Sequence, residues 1–272
     1  MNAPAFRSRY GPRALVAGAA VGLGIEYARQ LAERGLDLLM LDRDAGPLAA
    51  AANEIRAAHG VDVDTLTVDL AQPNIAAVVE RALAGREIGL LVYNAALGTV
   101  APFLELSPAH CDTMLDVNCH GPLRLIHLLA PAMVQRGRGG IVLMSSMSGN
   151  YGSAQLAVYA ATKAFTLVLG DALWSELGAR GVDVLTVQPG STRTPGWLTS
   201  QRSGDDAPAL PVMEPADVVR EALDALGSEP CVIPGEMNQQ GAAIMHRMKR
   251  REAIELMSAI TSQLVRNDRA TS

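Results

Sequence analysis

Arg13-Ala-Leu-Val-Ala-Gly18-Ala-Ala-Val-Gly22-Leu-Gly24-Ile-Glu-Tyr-Ala-Arg-Gln-Leu31 is the stretch on which the reading of the fold turns. A short apolar run enters three glycines spaced G-x-x-x-G-x-G, and apolar residues then recur at Ile25, Ala28, Leu31 and Ala32. That change from a continuous run to a helical period reads as strand, tight turn, helix. Glycine lets the backbone come close to a phosphate, and a helix N-terminus offers free N–H groups and the positive end of its dipole. The spacing differs from the G-x-G-x-x-G dinucleotide fingerprint, and a glycine turn can also be a plain connector. The next apolar run, Leu38-Leu-Met-Leu-Asp42, ends in an acid 18 residues after Gly24. An acid at about that distance accepts hydrogen bonds from an adenosine ribose and repels a 2′-phosphate, which favours NAD. Arg43 supports the alternative, because a guanidinium at that corner can clamp the phosphate of NADP.

Strand-like runs near 13–18, 37–42, 62–68, 88–93, 139–145, 182–188 and 230–233 alternate with helical runs near 22–35, 44–59, 74–85, 108–136, 157–180 and 215–227. Such alternation predicts an α/β fold, a single Rossmann-type doubly wound domain. Its seven-stranded, mainly parallel sheet carries helices on both faces. Ligands of these sheets bind beyond the carboxyl ends of the strands. Gly18, Asp42, Asn94, Ser146 and Pro189 all fall at or just past such ends.

Tyr159 and Lys163 stand four residues apart in Tyr159-Ala-Ala-Thr-Lys163, and Ser146 precedes the tyrosine by thirteen. Positions i and i+4 share a helix face, so a phenol is set beside an ammonium. A free tyrosine titrates near pH 10, and an adjacent cation lowers that value by roughly 1–3 units. The pair reads as a proton-transfer device, with a serine hydroxyl to hold a substrate oxygen. Ser145, one residue earlier, reads as a strand-end residue.

In this order the motifs resemble those of the short-chain dehydrogenase/reductase family, over about residues 12–235. Gly18, Gly22 and Gly24 match its glycine turn, with Ala17 in place of a threonine; Ala20 and Leu23 fall within the same cofactor-binding segment. Asp69 and Leu70 match the segment that contacts adenine. Asn94, Ala95 and Ala96 match the segment closing the fourth strand, with alanine in place of its last glycine. Pro189, Gly190, Thr192 and Thr194 match the segment that contacts the nicotinamide. The resemblance implies a catalytic set of Asn118, Ser146, Tyr159 and Lys163. Ser146 would hold the substrate oxygen, Lys163 would lower the tyrosine pKa and grip the nicotinamide ribose, and Asn118 would hold a water linking Lys163 to solvent. It also implies a substrate-facing loop at Tyr151 and a substrate lid over residues 191–213. Trp197, Leu198, Leu210 and Met213 of that lid could wall an apolar pocket or simply pack.

Composition sets the remaining bounds. About half of the 272 residues are hydrophobic, ample for one large core. A net charge of −5 leaves no footprint for nucleic acid. Cys111, Cys119 and Cys231 have no metal-ligand spacing, and their odd number argues against a disulfide framework. A reducing cytoplasm fits, since Met1–Tyr10 is short and polar and no apolar run reaches the length of a membrane span. His120 and His127 lack a third partner for a metal, so none is expected. They ride a helix at which the family forms subunit interfaces, and a homodimer or homotetramer is expected. Beyond Glu236, Met237, Ile244, Met245 and Met248, then Ile254, Met257, Ile260 and Leu264, form an apolar stripe beside the basic run His246-Arg-Met-Lys-Arg-Arg251. This extension, 236–272, is expected to be helical and to cover its own domain or a partner subunit; a membrane surface is the alternative. The function expected is interconversion of a secondary alcohol and a ketone on a lipophilic small molecule with NAD or NADP. The rival from another class is a catalytically silent nucleotide-sensing or scaffold protein.

Overall fold

The computed structural model of the chain describes residues 1–200 and 212–264. Seven strands, β1 (Arg13–Ala17), β2 (Asp37–Asp42), β3 (Val63–Thr67), β4 (Leu90–Tyr93), β5 (Gly139–Met144), β6 (Val182–Val187) and β7 (Cys231–Val232), form one sheet in the order β3-β2-β1-β4-β5-β6-β7. Every pairing is parallel, so the sheet is wholly rather than mainly parallel. The chain order reverses between β1 and β4, and that crevice is where ligands of open α/β sheets bind.

Both faces of the sheet are buried, which explains why its strands read as unbroken apolar runs. Side chains alternate between two cores. Ala14, Val16, Leu38, Met40, Leu90, Val92, Val142 and Leu185 face one side. There they meet Tyr27 and Leu31 of α2 (Gly22–Glu33), Leu48 and Ile55 of α3 (Ala45–His59), and Val219 and Leu223 of α9 (Pro215–Ala225). Leu15, Leu39, Leu41, Leu91, Ile141, Leu143 and Val184 face the other. Ile75 and Val79 of α4 (Ile75–Leu83) and Leu125, Leu129 and Met133 of α6 (Gly121–Arg136) cover them, with Leu169 and Leu173 of α7 (Ala157–Gly178) at the margin.

Four features depart from the sequence reading. The polar N-terminus forms a helix, α1 (Ala3–Tyr10), which buries Phe6 and Tyr10. Eight residues are too few to hold a helix in isolation, but two buried aromatics contribute about 1.5–3 kcal/mol each and dock it. Arg9 makes two bonds to Asp183 (2.9 and 2.8 Å), and the Tyr10 hydroxyl donates to the same carboxylate (2.8 Å). The helix expected over 108–136 is α5 (Pro108–Leu115) and α6 joined by a π-helical turn, Asp116–His120. The lid region begins with α8 (Pro195–Ser200) and ends at Met213, which bridges Thr192; residues 201–211, Leu210 among them, lie outside the described residues, as does the side chain of Leu198.

Last, the C-terminal extension is two helices, α10 (Glu236–Arg247) and α11 (Arg250–Leu264), broken at an extended Met248. Their docked face takes in only part of the apolar stripe: Met245 is buried and Met248, Met257 and Ile260 are half-buried. Asn238, Ala242, Met245, Ala253 and Thr261 are buried, while Met237, Ile244, Ile254 and Leu256 face outward. The break shifts the helical phase, and the docking surface accepts small and polar side chains because it is made of loop hydroxyls and a glycine turn.

Candidate active site

The glycine turn follows directly from β1. The N–H groups of Gly18 and Ala19 donate to the Leu41 carbonyl (2.8 and 3.0 Å), which pins the turn to the neighbouring strand. Gly18 has φ +77°, and a Cβ there would stand 2.7 Å from the Cα of Ala95. At Gly24 a Cβ would stand 1.8 Å from the Gly18 carbonyl oxygen, so only glycine lets α2 start this close to β1. The Asn94 amide donates to the Gly18 carbonyl (2.8 Å) and locks the end of β4 to the turn.

A cleft of about 420 Å³ opens over these strand ends. Gly18, Gly22 and Leu23 line its floor, Asp42 and Arg43 one end, and Asp69 and Leu70 the adjoining wall. Asn94, Ala95, Ala96 and Thr194 close the other side. Asp42 is half-buried and ties the turn together, accepting from Ala20 N (2.9 Å) and Asp44 N (3.3 Å). The Arg43 side chain is 71% exposed and stands 3.9 Å from Asp44. Ala20 is buried and acts through that backbone bond. Of the second segment, Thr194 reaches the cleft. Thr192 is buried with its hydroxyl on the Gly190 carbonyl (3.2 Å), Gly190 backs onto Asn238, and the Pro189 carbonyl accepts from Met147 N (3.2 Å).

The candidate catalytic residues lie beyond β5. Ser146 is extended, and its Oγ accepts from both the N–H (3.2 Å) and the hydroxyl (2.9 Å) of Ser148. With its lone pairs so used, the Ser146 hydroxyl proton is left to donate outward. Ser145 is turned away and donates to the Lys163 carbonyl (2.8 Å). One turn of α7 carries Tyr159 and Lys163, and the ammonium lies 5.5 Å from the centroid of the phenol ring. Lys163 is 3% exposed and donates to the Met144 carbonyl (2.8 Å). Burial lowers its pKa to about 8.

The tyrosine corrects one expectation. Its residue keeps some exposed surface, but its hydroxyl is enclosed, and that desolvation raises the phenol pKa. Only the neighbouring Ser146 hydroxyl acts in the opposite direction. The ammonium is committed to a carbonyl behind the ring and does not outweigh burial. The site therefore holds Tyr159 as the phenol, the proton-donating form.

Asn118 is held by the protein on all sides. It sits in the π turn, and its amide donates to the Leu97 carbonyl (2.9 Å) and the Thr162 hydroxyl (2.9 Å), while its oxygen accepts from Leu97 N (2.8 Å). Both amide hydrogens are used. The side chain is a strut between the loop after β4 and α7. Tyr151, expected to face substrate, donates its hydroxyl to the Met245 carbonyl (3.2 Å) and lies near the His246 ring. Trp197 is half-buried on α8, its backbone N–H donating to the Thr194 hydroxyl (3.2 Å). Three residues escaped the sequence reading. Ser148 polarises Ser146, a role signalled only by its i+2 position. Gly98 packs against the Tyr159 ring, where a Cβ would stand 3.2 Å from Cε2, and nothing local marks it. Cys119 is buried close enough to Lys163 for their charges to interact, and burial pushes its thiol up to about 11. Among the described residues, no group of three His, Cys, Asp or Glu side chains could hold a metal ion, and no helix is long and apolar enough to cross a membrane.

The model of the short chain dehydrogenases matches residues 12–203. The chain belongs to that family. It is accordingly an oxidoreductase that uses a nicotinamide dinucleotide, and the glycine cradle, where a Cβ would collide, fits that cofactor. This dehydrogenase is 29% identical over 249 residues to a 7beta-hydroxysteroid dehydrogenase of Clostridium sardiniense, covering 92% of this chain and 95% of the relative. A structure solved in a study of 7beta-hydroxysteroid dehydrogenase stereoselectivity superposes with a TM-score of 0.88 at 30% identity, covering 94% of this chain and 99% of the other. A short-chain dehydrogenase of Sphingobium yanoikuyae in complex with NADPH gives 0.75 at 31% identity, covering 88% and 97%.

Proposed function

We propose that the dehydrogenase interconverts a ketone and a secondary alcohol on a lipophilic small molecule, with Tyr159 as the acid and base. The observation that carries this reading is the convergence of three groups beyond the carboxyl end of β5. The Tyr159 phenol is enclosed beside the Ser146 hydroxyl, and the Lys163 ammonium lies 5.5 Å from its ring. The bound dinucleotide would supply or accept a hydride. In reduction, the Ser146 hydroxyl donates to the carbonyl oxygen and steadies the charge developing on it. Tyr159 gives its proton to the same oxygen, and burial keeps that proton available at neutral pH. In oxidation the proton returns from the alcohol to Tyr159. A positioned acid of this kind contributes about 10²–10⁴-fold. Asn118 keeps the loop after β4 in register with α7, and Gly98 gives the phenol ring its place.

Asp42 at the end of β2 supports NAD(H), its carboxylate repelling a 2′-phosphate. A second reading, NADP(H) held by Arg43, is favoured by the exposure of that guanidinium and by the NADPH in the Sphingobium yanoikuyae neighbour. A lipophilic substrate is supported by the 7beta-hydroxysteroid dehydrogenase relative. Self-association as a homodimer or homotetramer is supported by the large apolar side chains that α7 exposes, Val168 (67%) and Trp174 (43%). The test is a panel of bulky and small ketones and secondary alcohols with both cofactors, together with dissociation constants for NADH and NADPH. Turnover of bulky ketones with tighter NADH supports the reading. Tighter NADPH moves the specificity to Arg43, and no turnover with either cofactor overturns the enzymatic reading.

A further inference from the structure

The stretch from Met147 to Val158 joins the two groups that touch the substrate oxygen, Ser146 and Tyr159. Its first part is fixed by the body of the domain. Gly149 packs so closely on α7 that a Cβ would stand 2.9 Å from the Lys163 carbonyl carbon, and Met147 N donates to the Pro189 carbonyl (3.2 Å). Its second part is held differently. Apart from Ala101 N donating to the Gln155 carbonyl (2.9 Å), its long-range hydrogen bonds among the described residues run to the C-terminal helices. Tyr151 reaches the Met245 carbonyl, and Ala154 N donates to the Ser258 hydroxyl (3.0 Å). The hydroxyls of Ser153 and Thr261 lie 2.6 Å apart, each within reach of the Met257 carbonyl (3.2 and 2.9 Å). Ser153 is 6% exposed and Thr261 4%.

We propose that this buried hydroxyl pair is a positioning latch, through which the C-terminal helices set the placement of residues 150–156 and so the size of ketone that reaches Tyr159. Two observations connect the latch to the site. Gln155, two residues beyond it, is held at φ +67°, a conformation that a side chain other than glycine keeps only when its surroundings impose it. Its carbonyl in turn anchors Ala101, three residues from the Gly98 that packs on the phenol ring. The same extension also backs the Pro189-Gly190 turn, where a Cβ on Gly190 would stand 2.6 Å from Asn238 Oδ1. The C-terminal helices thus brace both segments that lead into the substrate space. Ser153 and Thr261 touch neither substrate nor cofactor; they act through the loop.

The inference rests on the ketone-reducing reading of Tyr159, and its test separates the two. Thr261→Val keeps the shape and removes the hydroxyl–hydroxyl bond of the pair, leaving the Ser153 hydroxyl its carbonyl partners. KM for a bulky ketone should change about tenfold, the scale of one buried hydrogen bond, with kcat and KM for a small ketone within about twofold. The dissociation constant of NADH should stay within about twofold, amide hydrogen exchange should quicken at Gly152–Leu156, and Thr261→Ser should restore all of these. Should Thr261→Val fold poorly, Ser153→Ala reads the same quantities without adding a methyl group. Equal KM changes for both ketones, or a parallel loss of cofactor affinity, would overturn the latch. A parent enzyme that reduces no ketone would instead overturn the functional reading, and the exchange data would still report on the latch.

Discussion

The two halves of the cleft are built in opposite ways. Around β1 and β2 the site is backbone: a glycine turn, N–H groups pinned to Leu41 and Asp42, and an amide from Asn94. Around β5 and α7 it is side chains, a serine, a phenol and an ammonium, whose surroundings come from as far along the chain as Thr261. The first half leaves no room for a side chain at Gly18 or Gly24, where a Cβ would land on the Ala95 backbone or the Gly18 carbonyl. The second is set by burial and by remote hydrogen bonds.

The largest break in that comparison is Gly24→Val. Its Cβ must displace the Gly18 carbonyl, and NADH affinity should fall by at least about 100-fold, read by fluorescence titration, with far-UV circular dichroism checking the fold. Retained affinity would mean that the turn is softer than its geometry implies. A smaller effect belongs to the other half. Burial lowers the Lys163 pKa to about 8, so the ammonium is present below that pH and lost above it. If the cofactor is gripped through that charge, NADH affinity should be flat below pH 8 and weaken by up to about tenfold per unit above it. Lys163→Met should abolish the break. The smallest effect is expected at Tyr151→Phe, which removes one partly buried hydrogen bond to Met245. That costs roughly 0.5–1.5 kcal/mol of stability in thermal unfolding, with kcat unchanged. A collapse of kcat would return Tyr151 to the substrate site.

The same contrast decides what could be read in the chain. The seven strands, their ends and the Tyr159–Lys163 turn follow from local patterns, because parallel strands buried on both faces leave unbroken apolar runs. Phe6 and Tyr10 were hidden in a polar decapeptide, since what they pack on and bond to, the core beside α2 and Asp183, comes from elsewhere in the chain. The π turn at Asn118 leaves no mark in a continuous helical period. The direction of the Tyr159 pKa was misread because spacing gives the neighbour but not the desolvation. The docked face of α10 and α11 was legible only in part: Met245 packs inward, while Met237, Ile244 and Ile254 stay exposed because much of the surface these helices meet is polar loop.

The central claim is that Tyr159 is the proton donor and stands protonated because it is buried. Tyr159→Phe keeps the ring on Gly98 and removes the proton. The account predicts an NADH dissociation constant within about twofold of the parent's and a loss of ketone reduction of about 10²–10⁴-fold in single-turnover measurements at neutral pH. Reduction at the parent rate by the phenylalanine variant would contradict it.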